Sequence, residues 1–188
     1  MLLGLALAAI AALIGVTLAL RKALARERRL ARTDDVTGVR SARAFYEAAA
    51  MEIERARRYQ HPFSVACVDL GYRVGDELLR ATAAALRGAL RATDLIARLG
   101  RDEFIVLLPE TDAAATRVVL EKLRTSVLDV RTADGRQIVI SIGGVTFVTP
   151  PGAVDEIVRA ADERIAEAKS TGSTSHGTWH AAPAAEGR

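Results

Sequence analysis

The chain has 188 residues, half of them apolar and only 4% aromatic, so it can bury a domain-sized core built from Leu, Val, Ile and Ala. A single cysteine, Cys67, excludes an internal disulfide and a cysteine-built metal site, and His61, His176 and His180 lack metal-ligand spacing. The formal charge is +3, and much of it falls in one short stretch, which argues against a broad nucleic-acid-binding face.

Residues 1–20, "MLLGLALAAIAALIGVTLAL", carry no charge. At 1.5 Å per residue a helix of that length spans a bilayer core, which predicts a transmembrane helix over 1–20. Arg21, Lys22, Arg26, Arg28, Arg29 and Arg32 follow, against one acid, Glu27. The positive-inside rule then puts everything beyond in the cytoplasm, beneath the inner membrane, with the basic stretch against anionic lipid. A cleaved signal peptide would carry a basic n-region and a shorter apolar run, and neither is seen. Gly4, Ala8 and Ala12 form a small-residue stripe that suits pairing of two such anchors. Residues 21–33 continue as a helical stalk with sparse apolar positions.

"DDVTGV" breaks that helix with caps and Gly38. A helix is predicted from about Ser41 to Tyr59, with Phe45, Ala49, Ile53 and Ala56 on one face. "HPFSVACVDL" reads as a strand entered through Pro62, with Cys67 as a packing residue, and "VGDELLRATAAALRGAL" as an amphipathic helix. Residues 94–108 read as a β-hairpin. Asp112 is placed to cap the helix "DAAATRVVLEKLRTSVL". "RQIVISIGGVTFV" is a strand, "AVDEIVRAADERIAEAK" the last helix, and residues 175–188 a disordered tail. From the first strand onward the order is β-α-β-β-α-β, the split pattern of ferredoxin-like or palm-type α+β cores.

That topology brings Asp69, at the end of the first strand, to the hairpin turn carrying Asp102 and Glu103. Clustered carboxylates suit hard cations and, through them, phosphates. Acids at turns also serve simply as solvated polar tips.

Several segments, in order, resemble the GGDEF family of diguanylate cyclases over residues 34–174. "DDVTGVRSARAF" is similar to the family's opening D-x-L-T-G-L-x-N-R-x-x-F. "ARLGRDEFIVLLPETD" resembles its signature hairpin, "VISIGGV" its SIGVA strand, and "AADERIAEAKSTG" its closing helix. The resemblance implies joining of two GTP into cyclic di-GMP by two facing domains, with two Mg²⁺ ions held by the acids of the first strand and hairpin. By position it implies Asp69 and Asp102 as metal ligands, Asp102 and Glu103 as the catalytic acids, Asp76 on guanine and Lys169 on phosphate.

The chain departs from the family pattern in ways that meet at this site. About ten residues are missing between Leu70 and Gly71, and with them a second acid, a phosphate-cradling Phe-Lys pair and a guanine-reading Asn. The second signature glycine is Arg101, which either fills space the nucleotide needs or grips a phosphate itself. The opening Asn is Ser41, and the closing phosphate-contacting Arg is Ser173. The R-x-x-D inhibitory motif is intact as Arg91 and Asp94, and the resemblance implies cyclic di-GMP binding there. A guanidinium fork suits O6 and N7 of guanine, although an Arg at a helix C-terminus also serves the helix dipole.

The leading expectation is a single-pass inner-membrane protein, homodimeric or paired with another signalling protein. Its inactive domain of this type would bind cyclic di-GMP through Arg91 and Asp94. The alternatives are a working Mg²⁺-dependent cyclase that binds GTP, and a dimerisation scaffold that binds no nucleotide.

Overall fold

The structure is a computed structural model that describes residues 14–18, 31–71, 74–127, 129–131, 135, 138–171 and 174–179. The chain divides into two units, Met1–Ala31 and Arg32–Arg188. In the first, residues 14–18 are helical, with Ile14, Val16 and Leu18 exposed. The expected membrane helix over 1–20 and stalk over 21–33 otherwise fall almost wholly outside the described residues. Among the described residues no helix is long and apolar enough to cross a membrane.

The second unit is built on one six-stranded mixed sheet of order β1-β3-β4-β2-β5-β6. The strands are β1 (Arg40–Ser41), β2 (Phe63–Asp69), β3 (Leu95–Arg98), β4 (Glu103–Leu108), β5 (Ser141–Phe147) and β6 (Thr174–Trp179). The helices are α1 (Ala42–Tyr59), α2 (Asp76–Ala89), α3 (Ala113–Ser126) and α4 (Val154–Thr171). From β2 to β5 this is the expected split β-α-β-β-α-β core, with β2 antiparallel to both β4 and β5.

All seven residues of β2 are buried, because helices cover both faces of the sheet. Residue alternation divides the core in two. Ala66, Val68, Phe104, Val106 and Ile142 face α2 and α3. Phe63, Val65, Cys67, Ile105, Leu107 and Val145 face α1 and α4. Burial pushes the Cys67 thiol far above its ordinary pKa, so it packs as an inert small hydrophobe, as expected. The Phe45, Ala49, Ile53 and Ala56 face of α1 is buried as the periodicity predicts. Asp112 caps its helix as expected, and Ser41, not singled out as a cap in the sequence, caps α1. Ser41 Oγ accepts from Ala44 N–H at 3.3 Å, and Asp112 Oδ1 accepts from Ala115 N–H at 2.8 Å.

The expected disordered tail is corrected over its first part. Thr174–Trp179 form β6, parallel to β5 from Ile142↔Thr174 to Phe147↔Trp179. Its Ser, Thr and Gly content resembles a linker, but its ladder and the packing of Trp179 on Phe147 hold it. Residues 180–188 lie outside the described residues. β1 was also unforeseen. It is two residues long, too short for any periodicity to register.

Candidate functional site

The acidic edge forms where β2 ends and the β3–β4 hairpin turns. Asp69 and Glu103 are register partners across β2 and β4. Asp69 is 7% exposed, and its Oδ2 pairs with Lys169 Nζ at 2.8 Å, from α4. Its Oδ1 accepts from Gly71 N–H at 2.7 Å. Burial, the Asp69 charge and a hydrogen bond to Asp69 together hold the Glu103 carboxyl above the usual carboxylate range, and Lys169 opposes them in part. Asp162 adds to the repulsion from seven residues before Lys169, two turns away on the same face of α4. Sequence reasoning missed Asp162, although its i, i+7 spacing to Lys169 was there to be read.

Asp102 turns to another task. Its Oδ1 accepts from Val74 N–H at 3.3 Å, and its carbonyl accepts from Leu70 N–H at 3.1 Å. Both donors lie in the connection 70–75, the short loop from β2 to α2 expected from the residues missing after Leu70. Gly71 in this connection takes a positive φ of +71°, which glycine adopts readily. Asp102 is therefore a clasp on this short loop.

Neither Gly100 nor Arg101 takes a positive φ, so the turn itself does not demand glycine at 101. At Gly100 a Cβ would sit 2.9 Å from Glu103 Oε2, the end of a flexible side chain that would have to shift. Arg101 is exposed, and its guanidinium has no hydrogen-bond or ion-pair partner among the described residues. The turn is shaped instead by Arg98, a residue the sequence reading passed over. Its Nε donates to Gly100 O at 3.1 Å and its guanidinium to Arg101 O at 2.6 Å. The same side chain pairs with Asp34 at 3.1 Å. Asp34 also receives Thr37 N–H at 2.8 Å and the Thr37 hydroxyl at 2.7 Å, and so builds the opening turn.

Asp69 and Glu103 are the hard oxygen donors that a divalent cation such as Mg²⁺ takes. As folded, Asp69 is spent on Lys169 and Gly71, and Asp102 is spent on Val74. Among the described residues no three Asp, Glu, His or Cys side chains converge to hold a metal. The described donor set does not fit a two-metal centre.

The remaining predicted residues lie apart. Asp76 is the first residue of α2, exposed, with Gly75 at the N-cap. Ser41 serves as a helix cap, a task Asn performs equally well, and Ser173 lies outside the described residues. Arg91 and Asp94 form the turn between α2 and β3. Arg91 N–H donates to Asp94 Oδ2 at 2.9 Å, and Asp94 N–H to Arg91 O at 3.1 Å. Two cavities, of about 630 and 210 Å³, flank this turn, and both are lined by Arg91 and Asp94. Neither is lined by Asp69, Asp102 or Lys169.

Residues 31–175 match the family described as "Diguanylate cyclase, GGDEF domain". The chain is 36% identical over 111 residues to diguanylate cyclase DgcP of Pseudomonas aeruginosa, covering 54% of this chain and 16% of that protein. It is 30% identical over 168 residues to response regulator PleD of Caulobacter vibrioides, covering 81% of this chain and 37% of that protein. The chain thus spans well under half the length of these relatives. The solved structure of diguanylate cyclase SiaD of P. aeruginosa, in complex with its activator SiaC, superposes with a TM-score of 0.72 at 25% identity. That alignment covers 88% of this chain and 70% of SiaD.

Proposed function

The chain belongs to the GGDEF family, and on that premise we propose that it is a non-catalytic receptor in cyclic di-GMP signalling that binds the dinucleotide through Arg91 and Asp94. One observation carries this reading. Open space flanks the Arg91–Asp94 turn, while at the acidic edge Asp69 is paired with Lys169 and Asp102 holds Val74 N–H. At the turn, the Arg91 guanidinium has no hydrogen-bond or ion-pair partner among the described residues and can offer a fork to O6 and N7 of guanine. Asp94, with one carboxylate oxygen holding Arg91 N–H, keeps the other for guanine N–H groups.

At the acidic edge, loss of the segment after Leu70 removes the side chains that would read GTP, and Asp102 is committed to the loop that replaces it. We read Asp69, Asp102, Glu103, Asp76 and Lys169 as the remnant of a GTP–Mg²⁺ site. The uncharged residues 1–20 anchor the protein in the inner membrane as a single span, with the domain in the cytoplasm. Anchor and stalk bring it together with a second copy or another signalling protein.

Calorimetry on the full chain in detergent tests the reading. Cyclic di-GMP binds at micromolar concentration, Arg91→Ala abolishes that binding, and GTP with Mg²⁺ gives no turnover. GTP turnover that disappears in Asp102→Ala overturns it in favour of a working cyclase. Absence of binding to either nucleotide leaves the scaffold.

A further inference from the structure

The larger cavity, about 630 Å³, lies between the C-terminal end of α2, the start of β3 and the turn leading into β1. Its lining gathers three arginines, Arg40, Arg87 and Arg91, against one acid, Asp94. Arg87 and Arg91 lie four residues apart, at and just past the end of α2, and the fold brings Arg40, some fifty residues earlier on β1, to the same cavity. Arg87 donates to Gly38 O at 2.9 Å and Arg80, two turns earlier on α2, to Val36 O at 3.2 Å. These two straps hold the 34–39 turn against α2 and fix the cavity's far wall. The Arg40 guanidinium, on edge strand β1, has no hydrogen-bond or ion-pair partner among the described residues. Asp94 is already engaged with Arg91 N–H. Like charges collected in a concave site create a field that an anion relieves, and guanidinium forks match phosphate oxygens in geometry.

We propose that this cavity is the phosphate-holding half of the dinucleotide site: Arg91 and Asp94 read a guanine edge while Arg40 and Arg87 hold the phosphodiester. This rests on the receptor reading above and adds two residues and a side to it. The volume falls within the ~300–1,000 Å³ of small-molecule sites. The second cavity, about 210 Å³ on the α3 side with Lys122, falls below that range.

Calorimetry on the full chain in detergent uses cyclic di-GMP and, as a phosphate-free probe, guanosine. Arg40 is exposed, so Arg40→Ala and Arg40→Glu leave the melting temperature unchanged. Arg40→Ala weakens cyclic di-GMP about tenfold, the loss of one charge-assisted hydrogen bond, and Arg40→Glu weakens it further. Neither changes guanosine binding. Arg87→Lys, which keeps the charge but loses the fork, falls between wild type and Arg40→Ala. Cyclic di-GMP binding that is lost in Arg91→Ala yet unchanged in both Arg40 variants overturns the phosphate assignment alone. Wild-type protein that does not bind cyclic di-GMP overturns the assignment together with the receptor reading.

Discussion

Two carboxylates near the hairpin turn respond to their surroundings in opposite directions. Burial would raise Asp34, but Thr37 hydrogen bonds and the Arg98 charge outweigh it and hold Asp34 below its ordinary 3.8. Its contribution to stability is therefore present above pH 3.8 and lost as pH falls through the lowered value. Asp34→Ala leaves Thr37 and Arg98 without their acceptor, at a cost of about 1.5–3 kcal/mol, read by urea unfolding at neutral pH. Glu103 has the reverse sign. Burial and Asp69 hold it above its ordinary 4.5, so the fold resists its ionisation. The resulting penalty is absent below pH 4.5 and complete once pH has passed the raised value. Glu103→Gln removes the penalty while keeping a hydrogen bond to Asp69. The variant melts higher than wild type at pH 7, and the gain vanishes at pH 4. An equal gain at both pH values would mean that Glu103 is not strained by its neighbours.

At the level of elements, β6 shows what composition hides. Its residues, Thr174 to Trp179, hold no aliphatic side chain, so no apolar alternation marks them as a strand. What holds them is made elsewhere: the parallel ladder on β5, Phe147 under Trp179, and a buried hydroxyl chain. In that chain Ser64 Oγ lies 2.8 Å from Thr146 Oγ1, Thr116 Oγ1 donates to Ser64 Oγ at 2.6 Å, and Thr146 Oγ1 meets His176 Nε2 at 3.1 Å. Burial, with Arg117 on α3 and Arg164 on α4 nearby, holds His176 below its ordinary 6.5. The unfolded chain therefore takes up a proton first. Docking of β6 is fully stable above pH 6.5 and weakens as pH falls below it. Trp179 is the only tryptophan, so its fluorescence reports this strand alone. Thermal melts followed by Trp179 fall in midpoint between pH 7 and ~pH 5. In His176→Gln, which keeps a partner for Thr146 but cannot titrate, that fall is flattened. A wild-type slope retained in the variant would place the titration elsewhere.

Across the whole molecule, the architecture was legible where the chain repeats a physical rule. The unbroken apolar β2 implied cover on both faces, the 3.6-residue stripe of α1 implied its packing, and the order of elements implied the split core. The site was legible only as residue types. That Asp69 would meet Lys169, one hundred residues away, and that Asp102 would hold Val74 follow from the docking of α4 and the length of one loop. Neither leaves a local signature. The same two-sided construction yields a differential test at β5, where adjacent glycines let helices approach from opposite faces. A Cβ on Gly143 would lie 2.5 Å from Ile165 N, in the backbone of α4, and one on Gly144 would lie 2.7 Å from Leu120 Cδ1, a side-chain tip on α3. A helix backbone cannot yield without moving the helix, whereas a leucine can change rotamer. Gly144→Ala therefore costs about 1–3 kcal/mol, and Gly143→Ala costs more, because α4 must lift from the sheet. Lifting α4 also disturbs Lys169 and β6. But every central strand supplies side chains to both layers, so the domain unfolds in one transition, with Trp179 fluorescence and helical circular dichroism coincident in urea. Two separated transitions in Gly143→Ala, or a larger loss in Gly144→Ala, would show that the layers on the two faces of the sheet do not depend on each other in this way.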